Sequence, residues 1–143
     1  MIPLSGIERR WAHTALVTIF PSGIHPRVRG ADVIDGGAAL ERVCQEVPAR
    51  VAVGLRVAVW LFAFAPLLVL RRLRTLPSLD AGERERAVLG LLSNRVYFVR
   101  QLALLLKAFG ALIFVAAAGV RESIVARSEL VRLGLPKEVR HVA

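Results

Sequence analysis

The stretch RQLALLLKAFGALIFVAAAGVR, residues 100–121, is apolar almost throughout, yet Lys107 lies inside it. If the stretch is a helix, Arg100, Lys107 and Arg121 follow one another at spacings of seven and fourteen residues. At about 3.6 residues per turn, all three side chains fall close to one stripe of the helix surface. We therefore predict an apolar helix with a basic stripe that faces water, lipid headgroups or another protein.

The composition bounds the class of protein. The chain has 143 residues, which indicates a single domain over residues 1–143. It is 55% hydrophobic with a mean hydropathy of +0.55, and such an apolar excess indicates a membrane or a large partner interface. The net charge of +9 suits anionic lipid or an acidic protein face. Because there is neither a Lys/Arg-rich arm nor an RNA-binding aromatic motif, we expect no nucleic-acid partner.

Helix signals are frequent and strand signals are scarce, so we predict an all-α bundle of five or six helices. Two of these helices are long and strongly hydrophobic, and Pro66 should kink the first of them because it lacks a backbone donor. Asp35 and the pair Asp80 and Glu83 have the spacing of N-terminal caps. The predicted helices cover residues 6–20, 37–47, 49–73, 81–93, 95–120 and 122–133, with a Gly/Pro-rich loop over 21–36.

The first helix has both a start signal and a periodic face. Ser5 and Glu8 have the spacing of a capping box, in which each side chain bonds the other residue's backbone N–H. Apolar residues then recur at every fourth position, at Ile7, Trp11, Ala15 and Ile19. This spacing gives the predicted helix an apolar stripe along one side.

The length of the uncharged runs and the apolar composition give opposite answers on whether the chain enters a membrane. The uncharged runs 57–70 and 108–120 are shorter than the roughly 20 residues that a bilayer requires, which favours buried core helices. Extended through Arg56 to 51–70 and through Lys107 to 101–120, each run reaches 20 residues and becomes long enough to span, because a long basic side chain can reach the interface. A membrane-embedded helical pair and a soluble bundle buried by a partner therefore both stay open.

Three interpretations of the basic stripe also stay open. The stripe is a solvated or snorkelling face, a ladder of ion pairs to Glu83, Glu85 or Glu122, or a docking surface for an acidic partner or for lipid headgroups. Aromatic residues beside the stripe suit either a membrane boundary or a protein interface. The candidate interface residues are Arg56, Tyr97, Arg100, Lys107 and Arg121.

No pattern of residues indicates catalysis. The histidines and Cys44 lack metal-ligand spacing, and no nucleophile elbow, dinucleotide motif or P-loop occurs. We therefore expect no catalytic, metal or cofactor-binding residue, and no enzymatic activity. The N-terminus lacks the feature order of a signal peptide, so we expect the chain at the cytoplasmic membrane, facing the cytoplasm, or in a soluble cytoplasmic complex.

The order of residues over 14–125 resembles a known family. The run LFAFAPLLVLRRLRTLPSLDAGERERAVLGLLSNRVYFVRQLALLLKAFGALIF, with VRESI after it, carries a proline-containing helix, a basic linker and an acidic helix start. A serine, a pair of basic residues seven positions apart and a later Val-Arg follow. The earlier TALVTIFPSG is similar to the opening helix of the same family. Together these features resemble subunit 3 of gluconate 2-dehydrogenase, a small helical subunit associated with GMC-type flavin oxidoreductases.

The resemblance implies an accessory role. Such a subunit packs on a large flavoprotein that does the chemistry on an alcohol, a sugar or a sterol-like substrate, and the flavin belongs to that partner. On this basis we expect a non-catalytic subunit that stabilises or membrane-anchors a flavin-dependent oxidoreductase. The alternative is a stand-alone small integral membrane protein with a helical hairpin and no enzymatic partner.

Overall fold

The computed structural model describes residues 2–21, 34–117 and 132, and α-helices dominate this part of the chain. No strand occurs in those ranges, so the predicted all-α fold class is confirmed for them. The predicted helix 122–133 lies outside them except for Arg132, as does most of the predicted loop 21–36. The helices are α1 (Gly6–Ile19), α2 (Gly36–Glu46), α3 (Ala49–Ala63), α4 (Ala65–Val69), a 3-10 helix (Leu76–Ser78), α5 (Ala81–Leu92) and α6 (Tyr97–Ala116).

Side-chain caps fix the starts of three helices, as the sequence predicts. At α1, Glu8 donates its backbone N–H to Ser5 Oγ at 3.2 Å, and Ser5 donates its own N–H to Glu8 Oε2 at 2.8 Å. Asp35 and Asp80 each accept a hydrogen bond from the N–H three residues on, at 3.0 and 2.7 Å. These bonds satisfy amide groups that have no partner within the helix.

The single long helix predicted over residues 49–73 is wrong. α3 ends at Ala63, the chain turns at Phe64, and the short α4 ends at Val69. Pro66 lies in the first turn of α4, where its missing N–H has no intrahelical acceptor to lose. The chain therefore restarts a helix around the proline instead of bending one continuous helix.

The apolar stripe of α1 and its buried face differ at the first turn of the helix. Ile7 is 61% exposed, whereas its neighbour Glu8 is buried together with Ala12, Ala15 and Leu16. Glu8 is turned inward because it bonds to side chains of α3. In the first turn of α1, a charged residue is therefore buried and the neighbouring isoleucine is exposed.

The core lies between α3 and the helices around it. α6 packs mainly on α3, and α1 packs on both α2 and α3. Burying a large apolar side chain contributes about 1.5–3 kcal/mol, so a few such residues dominate the stability of the bundle. The largest fully buried side chains come from five elements: Leu40, Leu55, Phe62, Leu76, Leu91 and Leu106.

Close approach of α2 to α1 depends on Gly37. A Cβ at this position would lie 2.5 Å from the carbonyl oxygen of Arg9, which is backbone and cannot move without shifting α1. At Gly82 in α5, the nearest atom to an added Cβ is Asp80 Oδ1 at 3.7 Å, an ordinary contact. An added side chain would thus be crowded at Gly37 and would have room at Gly82.

We expect Gly37→Ala to destabilise the protein by about 1–3 kcal/mol, because it forces α1 and α2 apart. Gly82→Ala is the matched control, and it should leave stability unchanged or raise it by up to about 1 kcal/mol, because alanine favours the helix. Thermal unfolding followed by circular dichroism measures both. Equal melting temperatures for the two variants would show that the α1–α2 contact is not tight.

Candidate interaction surface

A buried carboxylate joins α1 to α3. Glu8 is 2% exposed, and its oxygens accept hydrogen bonds from Arg56 Nε at 2.7 Å and from Arg56 Nη2 at 2.8 Å. Trp60 Nε1 donates a further bond to Glu8 Oε1 at 2.8 Å. With the capping bond from the Ser5 amide, both oxygens are fully engaged. A paired and hydrogen-bonded carboxylate is the arrangement in which a buried charge is tolerated.

The hydrogen bonds at Glu8 outweigh the effect of its burial. Burial alone raises the pKa of the Glu8 carboxyl, but the bonds donated by Arg56, Ser5 and Trp60 stabilise the ionised form and lower that pKa from 4.5 to about 2. The same contact with Glu8 is the main cause that raises the pKa of the Arg56 guanidinium. Both partners are therefore charged at neutral pH.

Three aromatic rings continue the contact between α1 and α3. The ring of Trp11 meets that of Trp60 edge to face, with centroids 5.2 Å apart and an interplanar angle of 80°. Phe64 lies 5.8 Å from Trp11 and 5.9 Å from Trp60. Aromatic pairs prefer such edge-to-face or tilted arrangements, so the cluster holds Trp60 and Phe64 at the surface in fixed positions.

One side of α3 is apolar and turned away from the core. Val53, Val57, Trp60 and Phe64 follow one another at spacings of four, three and four residues, which places them on a single stripe. They are 38–55% exposed, and we call them the α3 outer face. Because Arg56 is turned toward Glu8, no charged side chain interrupts this stripe.

α6 has a second apolar outer face. Its opposite side is buried on the bundle through Leu102, Ala103, Leu106 and Gly110. Its large exposed apolar residues, which we call the α6 outer face, are Tyr97, Phe98, Leu104, Leu112 and Val115. Exposed groups of large apolar side chains mark contacts with protein or lipid, so the α6 outer face is a candidate contact surface.

The length of α6 is sufficient to cross a membrane. It has 20 residues, and it is the one helix among the described residues that is long and apolar enough by length and composition. Only 22% of its apolar stretch is buried in the bundle. The predicted second long apolar helix falls short because α3 ends at Ala63. Among the described residues, α6 is therefore the one candidate for a membrane-spanning helix, in place of the predicted pair.

The predicted basic stripe lies along one edge of the α6 outer face. Lys107 is exposed, and Arg100 is half-buried, with its Nη1 donating to the Asn94 carbonyl at 3.3 Å. The guanidinium of Arg100 lies 5.7 Å from the ring centroid of Tyr97, within the range of a cation–π contact. The structure thus places Arg100 against Tyr97 and Lys107 seven residues further along the same helix, whereas Arg121 lies outside the described residues.

The ion-pair interpretation of the stripe finds no support in the described part of the chain. Glu83 pairs with Arg72 rather than with α6. Within residues 2–21 and 34–117, neither Arg100 nor Lys107 forms a salt bridge. The predicted ladder to Glu83 or Glu85 is therefore absent, and the proposed partner Glu122 lies outside the described ranges.

The predicted interface residue Arg56 has a different environment from the rest of that set. Two of its nitrogens bond to Glu8, and Nη1 reaches the carbonyl of Ile2 at 3.3 Å. Arg56 thus lies beside the α3 outer face and fixes its orientation. The sequence pattern did not identify the four apolar residues of that face as a surface, because nothing local distinguishes them from core.

The described ranges contain neither a metal-binding cluster nor an exposed cysteine. No group of three or more His, Cys, Asp or Glu side chains there is arranged to hold a metal ion. Cys44 is a free, buried thiol on α2, and burial is the main cause that raises its pKa. A buried thiol with a raised pKa is a packing residue rather than a nucleophile.

Comparisons with known proteins give no relative from which a function can be transferred. No family model, no curated protein and no solved structure matches the chain. The resemblance to a small oxidoreductase subunit therefore stays a prediction. The function is therefore inferred from that prediction together with the α3 and α6 outer faces and the basic side chains beside them.

The Glu8 contact makes a pH-dependent contribution to stability. Because its pKa is lower in the folded chain than in the unfolded chain, this contribution is complete above the unfolded value of 4.5 and is lost as the pH falls through about 2. Over that interval we expect up to about 3 kcal/mol to be lost. Urea unfolding at a series of pH values measures this loss.

Glu8→Gln should remove this pH dependence and lower stability at pH 7 by about 1–3 kcal/mol, because Arg56 loses its counter-charge. Glu46→Gln removes the same charge at an exposed position of α2 and should leave stability at pH 7 unchanged. A Glu8→Gln variant as stable as the wild type at pH 7 would show that the contact contributes nothing.

Proposed function

We propose that this chain is a non-catalytic accessory subunit that packs on a flavin-dependent oxidoreductase and helps to hold the complex at the cytoplasmic membrane. The single observation that carries the proposal is the pair of apolar outer faces on α3 and α6. Monomeric soluble proteins rarely leave large apolar patches in water, and such patches mark contacts with protein or lipid. The class of the partner comes from the resemblance over residues 14–125.

The packing of α6 supports a docking role rather than a spanning one. α6 packs against α3, α2, α5 and α1, and both α1 and α2 carry exposed charges such as Arg10 and Arg42. A helix in the bilayer interior would bring these charged neighbours into hydrocarbon, at a high cost in free energy. If only the α6 outer face contacts the partner, the charged surfaces of α1 and α2 stay in water.

The interface would have an apolar centre and a basic edge. Leu104 and Leu112 supply the aliphatic contact, and Tyr97 is an aromatic anchor of the kind enriched at interfaces. Arg100 and Lys107 border this surface on one side, where they suit acidic groups at the rim of a partner. The flavin belongs to the partner, and the role of this chain is to bind and position that subunit.

Copurification tests the proposal. The tagged chain, extracted in mild detergent, should bring down a large subunit with the visible absorption spectrum of a flavin. Leu112→Glu places a charge on the α6 outer face at a side chain that is 64% exposed, and it should reduce the recovered flavin at least about tenfold without lowering the melting temperature.

The matched control is Gln45→Glu, which adds the same charge at an exposed position of α2 and should keep the partner bound. Recovery of flavin that is equal for both variants would exclude the α6 outer face as the contact. A colourless chain with no partner would contradict the accessory role.

The second candidate is a stand-alone small membrane protein. The observation in its favour is the length of α6 together with its low burial in the bundle. In that case the α6 outer face would contact lipid acyl chains, and Lys107 would extend toward the headgroups. Such a protein would be recovered alone and colourless after extraction in detergent.

A further inference from the structure

The chain leaves α4 through an exposed loop of sequence RRLR, residues 71–74, which we call the 71–74 loop. Leu73 is 90% exposed, which is the highest value among the large apolar residues of the described ranges. On α4 itself, Pro66 is buried against the bundle while Leu67 and Leu68 are exposed. Three leucines and three arginines are therefore exposed within eight consecutive residues, 67–74, at the end of α4.

The backbone of the loop is held in a turn that positions Arg71. Its φ of 53° is the left-handed conformation, and among the described residues it is the one non-glycine residue with a positive φ. The turn brings the N–H of Arg72 back to the carbonyl of Pro66 at 3.1 Å, which closes the end of α4. Glycine adopts this conformation without strain, so the side chain of Arg71 lowers the stability of the free protein. Contacts that this side chain makes with a ligand would offset the strain.

The charges on the loop are mostly uncompensated. Arg72 pairs with Glu83 on α5, but within residues 2–21 and 34–117 neither Arg71 nor Arg74 forms a salt bridge. The neighbouring Asp80 is engaged at the start of α5, where it caps the helix. Two free guanidinium groups thus flank the protruding Leu73.

We propose that the 71–74 loop binds the anionic phospholipid headgroups of a membrane surface. A guanidinium bonds a phosphate through two parallel N–H groups, which suits Arg71 and Arg74 to phosphodiester headgroups. Leu73, with Leu67 and Leu68 behind it, supplies the apolar part that enters the boundary between headgroups and acyl chains. Nucleic acid would use the cations but leave these leucines in water, so the combination favours lipid. A chain with a net charge of +9 is also drawn to an anionic leaflet.

This inference rests on the membrane role in the proposed function and names the contact that supplies it, although lipid binding by the loop itself needs no oxidoreductase partner. A membrane contact at the 71–74 loop also leaves the α6 outer face available for protein. The two proposals can therefore fail separately: loss of vesicle binding does not remove a copurifying flavoprotein, and absence of a flavoprotein does not remove vesicle binding.

Vesicle flotation of the purified full chain tests the inference. We expect binding to phosphatidylcholine vesicles that contain phosphatidylglycerol, weaker binding to phosphatidylcholine alone, and a decrease with added salt. Arg71→Gln with Arg74→Gln should lower the partition coefficient on anionic vesicles about 20- to 30-fold, at about fivefold for each charge. Arg71→Gly should lower it about fivefold while the melting temperature stays the same or rises, which separates binding from folding.

The matched control is Arg42→Gln with Arg50→Gln, which removes two exposed charges near the junction of α2 and α3, at the end of α3 away from α4. It should keep most of the binding. Equal loss in both double variants would show a general charge effect and overturn the proposal. So would equal wild-type binding to neutral and anionic vesicles. A double variant of the loop that loses binding to a DNA duplex but retains vesicle binding would assign the loop to nucleic acid instead.

Discussion

The contact between Glu8 and the side chains of Arg56 and Trp60 decides which side of α3 faces outward. The guanidinium of Arg56 is drawn to α1, so the one charged side chain of the segment from Val51 to Leu70 does not stand on the α3 outer face. A hydrogen-bonded ion pair of this kind is costly to break because either partner alone is left without compensation. The apolar character of the outer surface therefore depends on a polar contact beneath it.

The small residues on the inner face of α6 explain why large apolar side chains stay exposed on its outer face. α6 presents small residues inward, among them Ala103 and Gly110, and an added Cβ at Gly110 would lie 2.5 Å from Leu16 Cδ2. These residues let the helices approach closely without needing the larger residues on the opposite side. Leu104 and Leu112 remain 41% and 64% exposed in the described bundle, and a second surface would complete their burial.

Local signals in the sequence predicted where three helices begin, but they did not predict features that depend on contacts between distant residues. Ser5, Asp35 and Asp80 mark helix starts because each bonds an amide only three residues away. The burial of Glu8 depends on Arg56, which lies 48 residues further along the chain, so the spacing of residues within α1 does not predict it. The break at Phe64 was not predicted, because a proline is compatible both with one kinked helix and with two separate helices.

The candidate surface was predicted in part. Arg100 and Lys107 were identified because basic residues in an apolar run are conspicuous, and they lie along the edge of the α6 outer face, where Arg100 contacts Tyr97. The α3 outer face was not identified, because Val53 or Trp60 in a uniformly apolar helix looks the same whether it faces the core or the outside. Only the position of α3 against α1 and α6 distinguishes the two cases.

An alkaline carbonate wash of membranes that contain the full chain tests most directly whether α6 docks by one face or crosses the bilayer. Peripheral proteins are released by this treatment, whereas a helix inserted through the hydrocarbon core is retained. We expect the chain in the supernatant, together with any subunit bound to the α6 outer face. Retention in the membrane pellet would mean that α6 spans the bilayer, and would contradict docking through one outer face.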